Sequence, residues 1–223
     1  MIIACVRTCS QRWKLFSALL KRVESLSFLF EMRSFHTLEA EADACINSRL
    51  TARAALSYCD KHLPEEDASW MLFLEDDIDV RRELRDAIDW LAAYGTQHQV
   101  DCWYLCNRKN RITRQFHENG FVINELAWPV LGSHALLIPR RHLKPMLDRH
   151  WTRNVDSEMF AAMRESAFNL RSNFPHLRSL SPFGGEGSLR VLQVISPVLV
   201  EHRGEYSTFN PNHRFKLEVN HAN

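Results

Sequence analysis

Residues 70–74, Trp-Met-Leu-Phe-Leu, form a continuous apolar run that stops abruptly at Glu75-Asp76-Asp77 and resumes as Ile78-Asp79. Five consecutive apolar residues followed by acids describe a strand buried on both faces, with its carboxyl end at the edge of a sheet. Side chains alternate along an extended chain, so Glu75 and Asp77 point to one side and Asp76 to the other, while Asp77 and Asp79 share a phase. Carboxylates held this close repel one another unless a proton or a cation intervenes. Open α/β sheets bind ligands at the carboxyl ends of their strands, and a divalent cation there relieves the repulsion. Oxygen-rich ligation points to Mg²⁺ or Mn²⁺, ions that clamp phosphates. The competing account is a solvated turn whose acids serve the N-terminus of the next helix.

The rest of the chain alternates in kind. Ile2–Val6 reads as a first buried strand, followed by a helix capped by Ser10 with Trp13, Phe16, Leu19, Leu20 and Val23 at helical spacing. Residues 28–32 read as a second strand and 47–60 as a helix. After the acidic run, a helix is expected over 81–94, with Gly95 just beyond its end. Residues 102–106, 121–123, 134–138 and 196–202 read as strands, 140–149 as a helix and 107–115 as a polar loop. The stretch 171–188, with Gly184, Gly185 and Gly187, reads as a loop able to close over a ligand. Short apolar strands alternating with helices predict an α/β fold with a mainly parallel central sheet.

Net charge is only +1 over 223 residues, but its layout is uneven. Residues 36–101 carry fifteen acids against six basic residues, whereas 103–178 carry twelve basic residues against six acids. The first block suits a cation, and the second suits an anionic partner or a set of solvated helix faces. Six cysteines, none in CxxC spacing, read as reduced core thiols rather than a zinc site. No apolar run reaches the roughly 18–20 residues of a membrane span, and the opening apolar stretch is too short for a secretion signal. The expectation is an intracellular, cytoplasmic protein.

The run LFLEDDI at 72–78 resembles the acidic metal motif of GT-A glycosyltransferases, particularly the lipopolysaccharide-type family 25 enzymes and some family 2 relatives. Other stretches are similar in the family's order: 2–20 to its opening strand, loop and helix, 47–56 to the helix before the metal strand, 128–147 and 155–160 to its acceptor side, and 196–208 to its closing strand. The resemblance implies a GT-A-like Rossmann-type sandwich forming a single glycosyltransferase domain. Residues 1–106 would hold nucleotide sugar and metal, 107–210 would face the acceptor, and 211–223 would be a polar tail. It implies a Mn²⁺ or Mg²⁺ ion bridging the diphosphate of a nucleotide-sugar donor, most simply a UDP-sugar, with ligands among Glu75, Asp77, Asp79 and His202. The motif register is open between Glu75-x-Asp77 and Asp77-x-Asp79. Arg7, Thr8, Asn47, Arg53, Asp76 and Arg203 would approach the donor. The second strand carries no obvious acid at its end for a ribose.

Transfer with inversion needs a carboxylate to take the acceptor's proton, and Asp156 and Glu158 are the candidates. Asp156 would also serve as the N-cap of a helix starting near Glu158. Trp103 and Trp128 offer surfaces for a sugar or for the core. The leading expectation is a hexosyltransferase acting on a glycan, or on a hydroxylated base of phage-type DNA reached through the basic segment 103–178. The alternatives are a two-metal phosphohydrolase or nuclease, drawing on the 75–79 acids with Asp101, Asp156, Glu158 or His202, and a non-catalytic nucleotide-binding module.

Overall fold

The computed structural model describes residues 1–9, 12–26, 31–36, 44–66, 68–107, 109–127, 130, 132, 134–173 and 189–202. Ser10, Phe28–Phe30, Trp128, Gly184, Gly185, Gly187, Arg203 and the 211–223 tail lie outside the described residues.

The apolar runs become a sheet of eight strands. In chain order these are β1 (Ile2–Thr8), β2 (Glu31–His36), β3 (Trp70–Glu75), β5 (Cys102–Tyr104), β6 (Ile112–Glu118), β7 (Phe121–Leu126), β8 (Ala135–Pro139) and β9 (Val191–Ser196). A separate hairpin-like pair joins β4 (Ile78–Val80) to β10 (Val200–His202). The sheet order is β2-β1-β3-β8-β5-β9-β7-β6. The pairings make β2, β1, β3, β5, β9 and β6 run one way and only β8 and β7 the other, so the expected α/β fold with most strands aligned is what forms.

Helices cover both faces, and the side-chain alternation of β1 and β3 shows how. Cys5 and Phe73 are register partners and share a face. On that face Cys5 Sγ lies 3.3 Å from Cys59 Sγ of α2 (Ala44–His62), both thiols being free and buried. Trp70 stands on the other face, against Gly95 of α3 (Arg82–Gln97). α4 (Leu143–Asp148) and α5 (Val155–Asn173) pack with α2, while α1 (Trp13–Leu26) packs on β4. Strands enclosed in this way are buried along their length, which is why β3 and β8 read as unbroken apolar runs. Among the described residues no helix is long and apolar enough to cross a membrane.

Several boundaries differ from expectation for physical reasons. The second strand continues past residue 32 to His36, and the polar stretch expected as a loop supplies β6 from Ile112. β6 is an edge strand exposed along most of its length, so no apolar alternation marks it, and its pairing with β7 alone makes it a strand. Gly95 lies inside α3 instead of ending it. A Cβ there would stand 2.6 Å from Trp70 and 2.8 Å from Trp103, so the glycine is required by close packing, not by a helix stop. The helix after Pro139 begins as a 3-10 turn over Arg140–His142. α5 starts at Val155, and its cap is Asn154, whose Oδ1 accepts from the Ser157 N–H at 3.0 Å; Asp156 is already inside the first turn. The 171–188 stretch begins as the end of α5. β9, over Val191–Ser196, was not expected, and of the run expected as a strand over 196–202 only Ser196, the end of β9, and Val200–His202, which form β10, are extended strand.

Candidate metal and donor site

Backbone pairing at the carboxyl end of β3 sets the positions of the site's side chains. β3 and β8 are antiparallel with Leu74 opposite Ala135, and the Glu75 N–H donates to the His134 carbonyl at 2.9 Å. His134 is thereby fixed beside Glu75, and His134 Nδ1 lies 3.1 Å from Glu75 Oε2. On the parallel side Arg7 is the register partner of Glu75, and its guanidinium reaches Glu75 Oε1 at 2.5 Å and also donates to Ser48 Oγ of α2. The β4–β10 pairing puts His202 opposite Ile78, and His202 Nε2 lies 3.1 Å from Asp77 Oδ2. The imidazoles of His134 and His202 lie with ring centres 4.2 Å apart.

Asp77, His134 and His202 therefore converge, with one ligand atom from each lying within 4.8 Å of the others. Asp77 Oδ1 is buried with no hydrogen-bond donor. An orphaned carboxylate oxygen beside two imidazoles fits a metal ion, because the ion supplies the missing partner. Glu75, expected as a ligand, lies outside this group but within hydrogen-bond distance of His134 Nδ1, an arrangement that would support His134 if its Nε2 faced an ion.

Asp76 lies in the turn that follows β3, where its carboxylate meets Thr8 and Arg12. Its Oδ2 accepts from Thr8 Oγ1 at 2.7 Å, and its Oδ1 lies 2.9 Å from Arg12 Nη1. Arg12 Nη2 pairs closely with Asp77 Oδ2, so one guanidinium bridges both aspartates. Burial raises the Asp76 pKa to about 6 against the opposing pull of Arg12 and Thr8. Burial also acts to raise the pKa of Asp77, but His202 and Arg12 prevail and hold it below its ordinary value. Burial disfavours a charged His134, yet Glu75 prevails and raises its pKa, with further contributions from Asp77 and Asp156.

The other expected site residues divide into two groups. Asp156, in the first turn of α5, adds to the raised pKa of His134. Asn47 is buried on α2 one residue from Ser48. The remaining ones are committed elsewhere. Asp79 lies on the side of β4 opposite the buried Ile78 and Val80, 3.8 Å from Arg81, and takes no part in the ligand group. Arg53 ties α2 to the C-terminal end of α4 by donating to the carbonyls of Leu147 at 2.6 Å and, just beyond the helix, Arg149 at 2.9 Å. Glu158 accepts from the N–H groups of Thr152 at 3.0 Å and Arg153 at 2.8 Å and from Arg149 Nε at 3.0 Å. These donors outweigh the effect of burial and hold its pKa at about 2, so it is a clamp on the α5 entry and a poor proton acceptor. Trp103 is fully buried, with its indole N–H on the Leu91 carbonyl at 2.9 Å, and is core. Asp101 lies between His142 at 3.1 Å and the Arg190 N–H at 2.8 Å, where it joins the start of β5 to the 3-10 turn and to β9.

Two site residues escaped the sequence reading. His134 carries a signal that was available: it immediately precedes the apolar run that pairs with β3. Arg12 carries none, because a single arginine in the polar stretch Cys-Ser-Gln-Arg does not reveal that its side chain reaches across to the end of β3.

No family model matches the sequence, and no curated protein matches it. Solved structures do. A Drosophila β1,4-galactosyltransferase 7 variant in complex with manganese, UDP-Gal and xylobiose aligns over 99% of this chain and 77% of its own, at 11% identity and a TM-score of 0.51. A glycosyltransferase involved in the glycosylation of the major capsid of PBCV-1 aligns over 92% of this chain and 94% of its own, at 10% identity and a TM-score of 0.47. The galactosyltransferase LgtC, in complex with donor and acceptor sugar analogs, aligns over 96% and 90%, at 14% identity and a TM-score of 0.42. The likeness to the first of these, and the sheet it shares, hold at the level of architecture: the chain has the α/β fold that the resemblance to GT-A glycosyltransferases implied.

Proposed function

We propose that the protein is a metal-dependent glycosyltransferase that moves a hexose from a nucleotide sugar, most simply a UDP-sugar, to a glycan hydroxyl. The observation that carries this reading is the convergence of Asp77, His134 and His202 at the carboxyl end of β3. Two imidazoles and a carboxylate favour Mn²⁺ over Mg²⁺, which prefers an all-oxygen shell. The galactosyltransferase with which this chain shares its fold was crystallised with manganese and a UDP-sugar, which supports the same donor chemistry here.

When bound, the ion supplies positive charge to the diphosphate as it leaves. The protein's own residues do the positioning. Arg7 fixes Glu75, Glu75 fixes the His134 ring, and the β4–β10 pairing delivers His202. Arg7 and Thr8, at the end of β1, with Asn47 on α2, border the place where the nucleoside would lie. Asp156, now separated from Glu158, is the carboxylate that would take the acceptor proton.

The basic block of 103–178 gives a DNA acceptor no support. Arg140 pairs with Asp60, Arg141 with Asp101, Arg149 with Glu158 and Glu165, and Arg153 with Glu158. A two-ion phosphohydrolase is likewise unsupported, since the described residues hold one ligand group and Asp79, Asp101 and Glu158 are engaged apart from it.

The test is Mn²⁺-dependent hydrolysis or transfer from UDP-sugars by the wild type and by Asp77→Ala. Loss of turnover and of Mn²⁺ binding in the variant is the expected outcome. Unchanged turnover in Asp77→Ala overturns the assignment.

A further inference from the structure

Arg12 occupies a peculiar place. Its guanidinium is largely buried, bridges Asp76 and Asp77, and shares Asp77 Oδ2 with His202 Nε2. Its Nε and Nη2 are both buried without a formed hydrogen bond, although Nη2 lies against Asp77 Oδ2 as an ion pair. A structural arginine at a buried carboxylate pair normally satisfies all its donors, because each unmet one costs desolvation without return. Here the fork meets two acids but leaves two of its three nitrogens without a formed hydrogen bond, so the arrangement is short of a fully satisfied contact.

The location matters more than the deficit. A divalent ion held by Asp77, His134 and His202 would use the carboxylate that Arg12 already neutralises. A guanidinium and a doubly charged ion on one carboxylate repel strongly in a buried setting. We propose that Arg12 is an internal competitor for the metal. It holds the charge of Asp76 and Asp77 while no donor is bound, and it is displaced onto the donor's diphosphate when the metal enters. A diphosphate is a suitable receiver because its oxygens accept a guanidinium fork in bidentate fashion. Metal and nucleoside diphosphate then bind with positive coupling, since each removes the obstacle to the other. The inference rests on the reading of Asp77, His134 and His202 as a divalent-ion site and adds the residue that regulates it.

Arg12 reaches the acids from a turn at the head of α1, where its N–H donates to the Cys9 carbonyl at 3.0 Å. A displaced side chain can therefore swing on its own rotatable bonds while the turn stays in place.

The experiment titrates Mn²⁺ by electron paramagnetic resonance, with and without UDP, in wild type, Arg12→Met, Arg12→Lys and Asp77→Ala. Arg12→Met is expected to bind Mn²⁺ alone at least about tenfold more tightly than wild type, and to gain less from UDP than wild type does. Equal or weaker Mn²⁺ binding by Arg12→Met overturns the proposal, and so does an undiminished gain from UDP. If Arg12→Met does not fold, Arg12→Lys decides: its compact ammonium cannot bridge two carboxylates as a fork, so Mn²⁺ must still bind more tightly, and no gain overturns the proposal. Wild type and Asp77→Ala binding Mn²⁺ equally well is a separate result, which removes the metal site itself.

Discussion

Glu158 and Asp77 are both buried carboxylates that meet arginines, yet their surroundings are opposite. Glu158 is saturated: two backbone N–H groups, Arg149 and Arg153 converge on it, and its pKa falls to about 2. The Asp76–Asp77 pair is under-supplied. Asp77 Oδ1 has no donor, one guanidinium serves both residues, and burial pushes Asp76 up to about 6. A carboxylate whose acceptors are all met contributes to the fold. One left with an unmet acceptor beside two imidazoles is arranged for a ligand that arrives later. Sequence position hides this difference, since Glu158 and Asp77 both sit among acids next to an element boundary.

The largest effect that probes this contrast is on stability. Glu158→Ala leaves two loop N–H groups and Arg153 without the acceptor they share and deprives Arg149 of one of its two, and should destabilise the protein by about 3 kcal/mol in denaturant unfolding, with Mn²⁺ affinity unchanged. The pH dependence follows with a definite sign. The Glu158 carboxylate is more acidic in the folded chain than its ordinary value of 4.5, so its contribution is complete above that value and is lost as pH falls toward about 2. Acid unfolding of Glu158→Ala should be less steep than that of wild type between those limits. A wild-type and variant pair with parallel acid transitions would break the contrast from the structural side.

A second effect probes the functional side. Glu75 reaches the site only through His134, whose ring it orients, while Arg7 holds Glu75 in turn. Glu75→Gln removes the charge that favours this orientation and should weaken Mn²⁺ binding by about 10–100-fold, read in the same titration as for Asp77→Ala. If Glu75 were itself a ligand, its loss would match that of Asp77→Ala; a smaller loss separates the supporting residue from the coordinating one.

Much of this was legible before the structure. The unbroken apolar run of β3 announced a strand enclosed by helices, and the acids at its end include Asp77, one member of the candidate ligand group. His202 was legible because it ends an apolar strand near the end of the described chain. His134 was readable only with the β3–β8 register, which pairing fixes and composition does not. β6 was illegible because an exposed edge strand has no apolar alternation to reveal it. Gly95 was misread because the two tryptophans that exclude a Cβ there come from β3 and β5, distant in sequence. The separation of Asp156 from Glu158 depended on the true helix start: once Asn154 is the cap, residues two apart in the first turn face different directions.

The smallest effect is the sharpest on the motif itself. Asp77-Ile78-Asp79 is the literal acidic triplet of the sequence, and a metal held by Asp77 and Asp79 would need both side chains on one side of an extended chain. The chain turns at Asp76–Asp77 before β4 begins, so the shared phase is broken, and Asp79 emerges toward Arg81 on a partly exposed face. An exposed pair of this kind contributes about 0–1 kcal/mol. Asp79→Ala should therefore change stability by no more than that, and should leave Mn²⁺ affinity and turnover at wild-type levels. A collapse of Mn²⁺ binding in Asp79→Ala would mean that the ion is gripped along β4 rather than between β3, β8 and β10, and His134 would lose its role.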